Sequence, residues 1–298
     1  MLYHYEIYQL CVSSEIPIPE LLPSEHHNAD VSIRIVEFTE DIPADAHQLG
    51  PYSWGKSQEF WLNVPDVASF YVFNGNQITV QPAAGIDLDS VRVFLLGTAM
   101  GVLMFQRQFL VLHGNAVQVG NACMVCVGKS GAGKSTLAAE LNLRGYKLLA
   151  DDVVPVNSAG EAMPGFPRIK LWKDSADQLN IATDTLSRIR PEMEKFSLPA
   201  FSSMADAPLP VKWIYVLHNH NRDEFIFEEI RGMQRFPVLR DNTYRAQFME
   251  GLGWQSRHLS LCAQLSSQVR VIRVTRPNTR FAPAELADRI LENLDAAI

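Results

Sequence analysis

The strongest constraint on the fold is a change of pattern between Ala122 and Gly145. The apolar run Ala122–Val127 predicts a buried strand. The next residues form a glycine-rich turn of the type G-x-x-x-x-G-K-[ST]. A helical pattern over Ser135–Arg144 follows, and Gly145 is a suitable C-cap. Glycines allow backbone amides to point at an anion, and a helix N-terminus adds partial positive charge. The segment therefore predicts a nucleoside triphosphate site.

The motif also predicts a role for individual side chains. Lys134 is expected to reach the β- and γ-phosphates, and the Ser135 hydroxyl is expected to face Mg²⁺. The expected cofactors are ATP and Mg²⁺. The expected nucleotide-binding residues are contiguous: Gly128, Lys129, Ser130, Gly131, Ala132, Gly133, Lys134, Ser135 and Thr136.

Two acids follow the next apolar run, "YKLLA", and we expect Asp151 and Asp152 to close that strand. Ligands of open α/β sheets bind at the carboxyl ends of strands. Adjacent residues of an extended chain point apart, so one carboxylate can face Mg²⁺ and the other an incoming nucleophile. The alternative is a single Walker-B-type aspartate with a neighbour that has no role.

A histidine and several cations are further candidates. The stretch "LVLHGNAV" places His113 at a strand end, and a hairpin there would bring it near the phosphate turn; a structural role is the alternative. A cation near the transferring phosphoryl group is expected because it stabilises the developing charge. The candidates are Arg168, Lys170, Lys195 and Arg245.

Composition excludes several classes of partner. The net charge of −7 comes without a basic block, so we expect no nucleic-acid partner. The best apolar run, Val91–Met104, is interrupted by Arg92 and Gly97, and we expect no membrane span. The N-terminus lacks signal-peptide features, which predicts a cytoplasmic location. Cys123 and Cys126 are expected on opposite faces of one strand, where they could not share a metal.

The rest of the chain predicts two domains, residues 1–90 and 91–298. The first is rich in short β-branched and aromatic runs punctuated by turn residues, including "HYEIYQLCV" and the hairpin "FNGNQI". A capped apolar helix is predicted over 88–108. The second domain has α/β alternation. Its predicted strands are "KWIYVLHNH", "EFIFEEI" and "VRVIRVTRP", its helices "LRDNTYRAQFMEGLG" and "APAELADRILENLDAAI", and its loops "VNSAGEAMPGFPRIKLW" and "SLPAFSSMADAPLP".

The ordered motifs "LHGNAV", "VCVGKSGAGKSTLAAEL" and "RGYKLLADDVV" resemble the catalytic domain of the HPr kinase/phosphorylase family, particularly its HPr-kinase-like relatives. The resemblance implies an α/β P-loop kinase domain of the HPr-kinase type with a β-rich N-terminal domain. It implies transfer of the γ-phosphate of ATP to a serine hydroxyl on a protein or peptide, for example a lasso-type precursor peptide. It also implies a homo-oligomer.

The resemblance further implies site roles. Asp151 is the expected base, Asp152 and Ser135 are the expected metal-side residues, and His113 orients the base or the substrate; the roles of the two aspartates can be reversed. Arg245 lies in a helix that resembles a corresponding segment of the relatives. An E-I-R-G segment occurs in "EEIRGMQRF", but later than in the bifunctional enzymes, and we interpret it as coincidence. The alternatives are a nucleotide-hydrolysing regulatory module and a small-molecule kinase.

Overall fold

The N-terminal part forms a nine-stranded sheet of order β3-β1-β2-β4-β9-β8-β7-β6-β5. Neighbouring strands are antiparallel except for the parallel pairs β2–β4 and β4–β9. The strands are β1 (Tyr3–Ile7), β2 (Leu10–Ser14), β3 (Leu22–Pro23), β4 (Val31–Ile35), β5 (His47–Gly50), β6 (Ser53–Lys56), β7 (Glu59–Val64), β8 (Ala68–Phe73) and β9 (Gln77–Pro82). The structure, a computed structural model, describes residues 1–38, 42–190, 193–200, 204–278 and 282–295.

The sequence predicted one of two hairpin turns in this sheet and missed the other. The hairpin predicted at "FNGNQI" is confirmed, with Asn74 and Gly75 at φ of 51° and 67° between β8 and β9. The stretch "HYEIYQLCV" is not one strand, because Tyr8 and Gln9 turn the chain back between β1 and β2 with φ of 54° and 61°. These two residues adopt the left-handed conformation without glycine, so the usual hairpin signal is missing.

A long apolar helix connects the two parts. It consists of α1 (Leu88–Phe94), a π-helical turn (Leu95–Ala99) and α2 (Met100–Gln106), and Asp87 caps it by accepting a 2.7 Å hydrogen bond from the Ser90 N–H. By length and composition this helix could span a membrane, contrary to the sequence expectation, but 78% of its most apolar window is buried inside the protein. It packs as a core helix of the N-terminal sheet.

The second part is a mixed sheet of order β11-β10-β12-β13-β16-β18-β17, in which β11 also pairs with β16. Strands β11, β16 and β18 are parallel, and β10 is antiparallel to β11 and β12. Strands β14 and β15 form a separate hairpin. The strands are β10 (Leu110–Val119), β11 (Ala122–Gly128), β12 (Leu148–Val156), β13 (Glu161–Ala162), β14 (Arg168–Trp172), β15 (Lys195–Pro199), β16 (Leu209–His220), β17 (Ile226–Ile230) and β18 (Arg270–Pro277).

Helices cover both faces of this sheet. Cys123 and Cys126 belong to different core clusters, which confirms that the two thiols diverge. Leu286, Ile290 and Leu294 of the predicted C-terminal helix are buried, as expected, although its last residues lie outside the described part. The helices are α3 (Lys134–Leu143), α4 (Lys173–Gln178), α5 (Arg235–Asp241), α6 (Phe248–Gly251), α7 (Gln255–Gln268) and α8 (Pro283–Asp295), with a 3₁₀ turn at Gly232–Gln234.

The helix predicted over "LRDNTYRAQFMEGLG" is wrong. The chain leaves α5 after Asp241, because Asn242 and Thr243 bond back to the carbonyls of the preceding turn. The following segment pairs with β10, where the Tyr244 N–H donates to Val111 O and the His113 N–H donates to Asn242 O. Residues 110–113 of β10 do not pair with β11, and their backbone groups therefore compete successfully with the helical pattern.

Two predicted loops contain strands, and one helix was not predicted. Strands β14 and β15 lie in stretches that their prolines indicated as loops, because alternate residues of both strands are buried in the core. The helix α7 has a weak apolar pattern and had no prediction. Residues 201–203 of the loop "SLPAFSSMADAPLP" lie outside the described residues.

The two parts share a core. Tyr244 and Phe248 from the second half pack in the cluster formed by the N-terminal sheet and the long helix. Tyr8 is 1% exposed, and its hydroxyl donates a 3.3 Å hydrogen bond to Val153 O on β12. The boundary near residue 90 stays a prediction, since the linking helix packs with the first part.

Candidate active site

The glycine-rich turn joins β11 to α3. Gly128, Gly131 and Gly133 have φ of 141°, 80° and 102°, conformations that favour glycine. A Cβ at Gly128 would lie 2.5 Å from Leu217 O on the neighbouring strand. The Lys134 Nζ donates to Gly128 O at 2.7 Å and to Lys129 O at 3.2 Å, so the turn wraps around the ammonium group. Burial lowers the pKa of Lys134.

A cavity of about 380 Å³ opens at this turn. Three of the predicted nucleotide-binding residues, Gly128, Lys129 and Ala132, are not among its lining residues and contribute backbone carbonyls to the turn instead. The side chains and backbone that line it come from His113, Gly114, Ser130, Gly131, Gly133, Lys134, Ser135, Thr136, Asp151, Asp152, Lys170, Leu171, Trp172, Ser175, Gln178, Lys195, Arg276 and Asn278.

Asp151 faces the start of α3. Its Oδ1 accepts a 3.3 Å hydrogen bond from the Ser135 hydroxyl, and its Oδ2 accepts a 2.8 Å bond from the Lys170 backbone N–H. The residue is 8% exposed. Burial, assisted by the charge of Asp152, raises the pKa of Asp151 to about 6. This carboxylate and the Ser135 hydroxyl form a pair of hard oxygen donors beside the phosphate turn.

Asp152 faces a different set of groups. Its Oδ2 forms a 2.5 Å ion pair with Lys170 Nζ, and its Oδ1 lies 3.4 Å from His113 Nδ1. Burial opposes ionisation, but Lys170, His113 and Lys195 hold the pKa of Asp152 well below its usual range. Asp152 is therefore ionised over the whole physiological pH range.

The geometry of the acidic pair differs from the sequence expectation. The aspartates lie inside β12 and do not close it. Asp152 has a φ of 71°, so the local backbone is not extended and both carboxylates line one cavity. The expectation of an extended chain is wrong at Asp152 for this reason, but the two carboxylates have different partners, and these separate their chemistry.

His113 lies in the middle of β10, not at a strand end. The predicted hairpin is confirmed, because Gly114 is the register partner of Val127 on β11 and of Asp152 on β12. A Cβ at Gly114 would lie 2.2 Å from Cys126 O, so this close approach requires glycine. Burial lowers the pKa of His113 despite the nearby Asp152, so its imidazole is neutral at pH 7.

The predicted cations separate into two groups. Lys170 and Lys195 line the cavity, and Lys195 Nζ lies 5.4 Å from the centre of the Trp172 ring. Arg245 does not line it; this residue has a φ of 46°, and its guanidinium stacks on Tyr244 and Phe248. Arg168 lines a neighbouring cavity.

Some residues that line the cavity at the glycine-rich turn were not predicted from the sequence. Arg276 lies at the end of β18 and donates from Nε to Ala132 O at 3.1 Å, which supports the phosphate turn. The signal that could have found it is its position at the carboxyl end of a parallel strand. Trp172 and Ser175 offered no such signal. Glu229 and Arg231 of the E-I-R-G segment pair with each other and are not lining residues of the cavity.

The oxygen donors were compared with the needs of Mg²⁺. In the described part of the chain, no group of three or more His, Cys, Asp and Glu side chains could hold a metal ion by itself. Mg²⁺ at phosphate-transfer sites needs only one or two protein ligands, because phosphate and water supply the others. The Ser135–Asp151 pair fits that requirement.

Comparison with known proteins identifies the segment around the cavity. Residues 106–170 match the family model of the HPr Serine kinase C-terminal domain. The HPr kinase/phosphorylase of Chlorobium phaeovibrioides is 47% identical over 51 residues, which are 17% of this chain and 15% of that protein. The enzyme of Caldanaerobacter subterraneus is 44% identical over 52 residues, 17% of each chain.

These matches span only a small part of the length of the relatives. The solved structure of the HPr(Ser) kinase/phosphatase from Coxiella burnetii aligns with 63% of this chain and 97% of that chain, at 11% identity and a TM-score of 0.31. The matched residues include His113, the glycine-rich turn and both aspartates. The resemblance to the HPr kinase family is thereby confirmed over the segment that builds the cavity.

Proposed function

We propose that this protein transfers the γ-phosphate of ATP to a serine hydroxyl of a protein or peptide. The observation that carries the proposal is the convergence of the phosphate turn, the acidic pair and His113 on one cavity. The similarity to HPr kinases supports the choice of a protein-type acceptor, since the relatives are named for the protein HPr. The cytoplasmic location and self-association expected from the sequence are part of the proposal.

The phosphate turn supplies binding and orientation. Its backbone amides and the N-terminus of α3 face the phosphates, and Lys134 exchanges its two backbone carbonyls for phosphate oxygens. Ser135 and Asp151 would hold Mg²⁺, which supplies charge neutralisation at the phosphates when bound. Arg276 keeps the turn in place through Ala132 O.

Asp152 accepts the proton of the acceptor serine. The serine Oγ attacks the γ-phosphorus, its proton passes to Asp152 Oδ, and the bond between that phosphorus and the β–γ bridging oxygen breaks to release ADP. We favour this assignment over the reverse because Asp151 is engaged with the Ser135 hydroxyl on the side proposed for Mg²⁺, while Asp152 is ionised, faces His113 and is paired with Lys170. His113, neutral at pH 7, orients the Asp152 carboxylate.

Two lysines provide the expected positive charge. Lys170 is paired with Asp152, and Lys195 has no carboxylate partner within 4 Å in the described part of the chain. Charge on the equatorial oxygens grows during the transfer, so fixed cations at the wall of a partly dry cavity lower the barrier. Lys195 is the cation best placed for this task, and Arg245 is not in position for it.

The experiment is phosphoryl transfer from γ-labelled ATP to proteins and serine peptides, with phosphoserine identified by mass spectrometry. Matched peptides with alanine in place of serine control for other sites. Lys134→Ala should abolish transfer, since the phosphates lose their main cation. Release of free phosphate without any phosphoserine would favour the regulatory hydrolase, and transfer to metabolites alone would favour the small-molecule kinase.

A further inference from the structure

Trp172 lines the cavity at the phosphate turn and has no part in the transfer steps described above. The other aromatic side chain among the described lining residues is His113, which lies against Asp152. Trp172 is 46% exposed, and the Lys195 ammonium lies 5.4 Å from the centre of its ring. A half-exposed indole at the wall of a polar cavity keeps a large apolar surface in water, which a planar ligand would cover.

The wall that carries Trp172 runs alongside the phosphate turn. Two residues before Trp172, the Lys170 backbone N–H donates to Asp151 Oδ2 and the Lys170 Nζ pairs with Asp152. Three residues after Trp172, the Ser175 Oγ accepts a 2.9 Å hydrogen bond from the Thr136 hydroxyl in the first turn of α3. The chain from β14 into α4 therefore passes from the acidic pair to the start of α3.

The direction of this wall indicates which end of the nucleotide it meets. In phosphoryl transfer the attacking and leaving oxygens lie roughly in line, so ADP lies on the side of the γ-phosphorus opposite the acceptor serine. With the serine at Asp152, the nucleoside lies away from that carboxylate. Trp172, Ser175 and Gln178 are spaced by three residues, so they share one face at α4, and all three line the cavity.

We infer that the base of the nucleotide stacks on Trp172, with the nucleoside held along the face formed by Trp172, Ser175 and Gln178. This inference rests on the nucleotide part of the proposed function and names the surface that receives the base. Stacking of a base on an aromatic side chain contributes about 1–3 kcal/mol and does not depend on which base is present. Trp172 therefore contributes affinity for nucleotides over inorganic phosphates, and it does so equally for adenine and guanine.

The inference is tested by calorimetry on the full chain with Mg²⁺ and without acceptor, using ADP, GDP and inorganic pyrophosphate. Trp172→Ala should raise the Kd of ADP and GDP about tenfold, or about 1.4 kcal/mol, and change that of pyrophosphate less than about twofold. Trp172→Phe should keep most of the nucleotide affinity. Tyr52→Ala, which removes an aromatic side chain that is 52% exposed outside this cavity, is the matched control. Equal effects of Trp172→Ala on ADP and pyrophosphate would overturn the inference.

Tryptophan fluorescence gives a readout that a structural role would not change. ADP should quench the emission of the parent more than pyrophosphate does, and Trp172→Phe should lose this difference while it still binds ADP. Quenching that persists in Trp172→Phe would assign it to another tryptophan and contradict the inference.

Acceptor assays separate this inference from the proposed function. A higher KM for serine peptides in Trp172→Ala, with an unchanged Kd of ADP, would place the ring on the acceptor side and overturn the inference alone. The expected nucleotide effects without phosphoserine on any acceptor would refute serine transfer and leave the inference in place. A parent protein that binds neither ADP nor pyrophosphate would refute both.

Discussion

Ser135 Oγ lies 3.3 Å from Asp151 Oδ1, so Asp151 adjoins the hydroxyl that we propose as a Mg²⁺ ligand. Asp151→Asn should therefore raise the Mg²⁺ concentration for half-maximal transfer about tenfold, whereas Asp152→Asn should lower kcat by about 10²–10⁴ at saturating Mg²⁺. Initial rates over a Mg²⁺ series distinguish the two effects. An exchange of these phenotypes between the variants would show that Asp151 is the base.

The raised pKa of Asp151 predicts that its ionised carboxylate destabilises the folded protein. In the unfolded chain this carboxyl ionises near pH 3.8, in the folded protein near pH 6. The free energy of unfolding therefore falls as pH rises between these two values. Above pH 6 the ionised carboxylate lowers it by up to about 3 kcal/mol. Asp151→Asn should unfold at higher denaturant concentration than the parent at pH 8. The difference should shrink towards pH 4, and a gain that stays constant with pH would argue against this origin.

His113 should affect turnover and not nucleotide affinity. Its Nδ1 contacts Asp152 by both the backbone carbonyl at 3.1 Å and the carboxylate at 3.4 Å. His113→Gln should lower kcat about tenfold to a hundredfold through misplacement of the base. The Kd of ATP, measured by calorimetry, should change little. An unchanged kcat would leave His113 with a structural role only.

Lys195 and Arg245 give opposite expectations. Lys195→Met keeps much of the packing on Trp172 but removes the charge, and kcat should fall by about tenfold or more. Arg245→Lys leaves the cavity wall unchanged, because Arg245 stacks on Tyr244 and Phe248 instead. It should retain kcat within about threefold, a difference of less than 1 kcal/mol in the barrier. A larger loss in Arg245→Lys would indicate that this residue reaches the substrate during the reaction.

Gly114 should be the least replaceable glycine of the hairpin. In Gly114→Ala the new Cβ meets Cys126 O at 2.2 Å, and the expected loss is about 3 kcal/mol because β10 and β11 must separate. Gly120→Ala, whose φ is 58° and whose Cβ would have no neighbour within 4 Å, should cost only about 1–2 kcal/mol. Chemical denaturation of both variants measures the difference. Equal losses would mean that the strand pair adapts to the extra carbon.

The strand, turn and helix of the proposed nucleotide site were predictable because their signal is local. The strand, the turn and the helix from Ala122 to Gly145 are contiguous, and each has its own pattern. The partners of Asp152 were not predictable, since its φ of 71° depends on the pairing of β12 with β10. The break after Asp241 also has a long-range cause, because the part of β10 that does not pair with β11 forms a bridge with the segment that follows.

The ion pair between Glu20 and Arg168 illustrates a different limit of the sequence. Glu20 and Arg168 are 148 residues apart, and only the tertiary fold brings their charges together, beside Arg92 of the long helix. The prolines around β14 also indicated a loop, so the alternation of Arg168 and Lys170 on one face could not be used. Long-range pairs of this kind have no periodic pattern in a single sequence.

The hydroxyl of Tyr8 supports the very strand that contains the two aspartates, by its hydrogen bond to Val153 O. The N-terminal sheet is consequently a brace for the strand that carries the two carboxylates of the proposed site. A chimera that combines this catalytic half with the N-terminal half of another relative should lose turnover unless the brace is rebuilt. The acceptor is a backbone oxygen, so the side chain at position 8 alone decides whether such a protein has this brace.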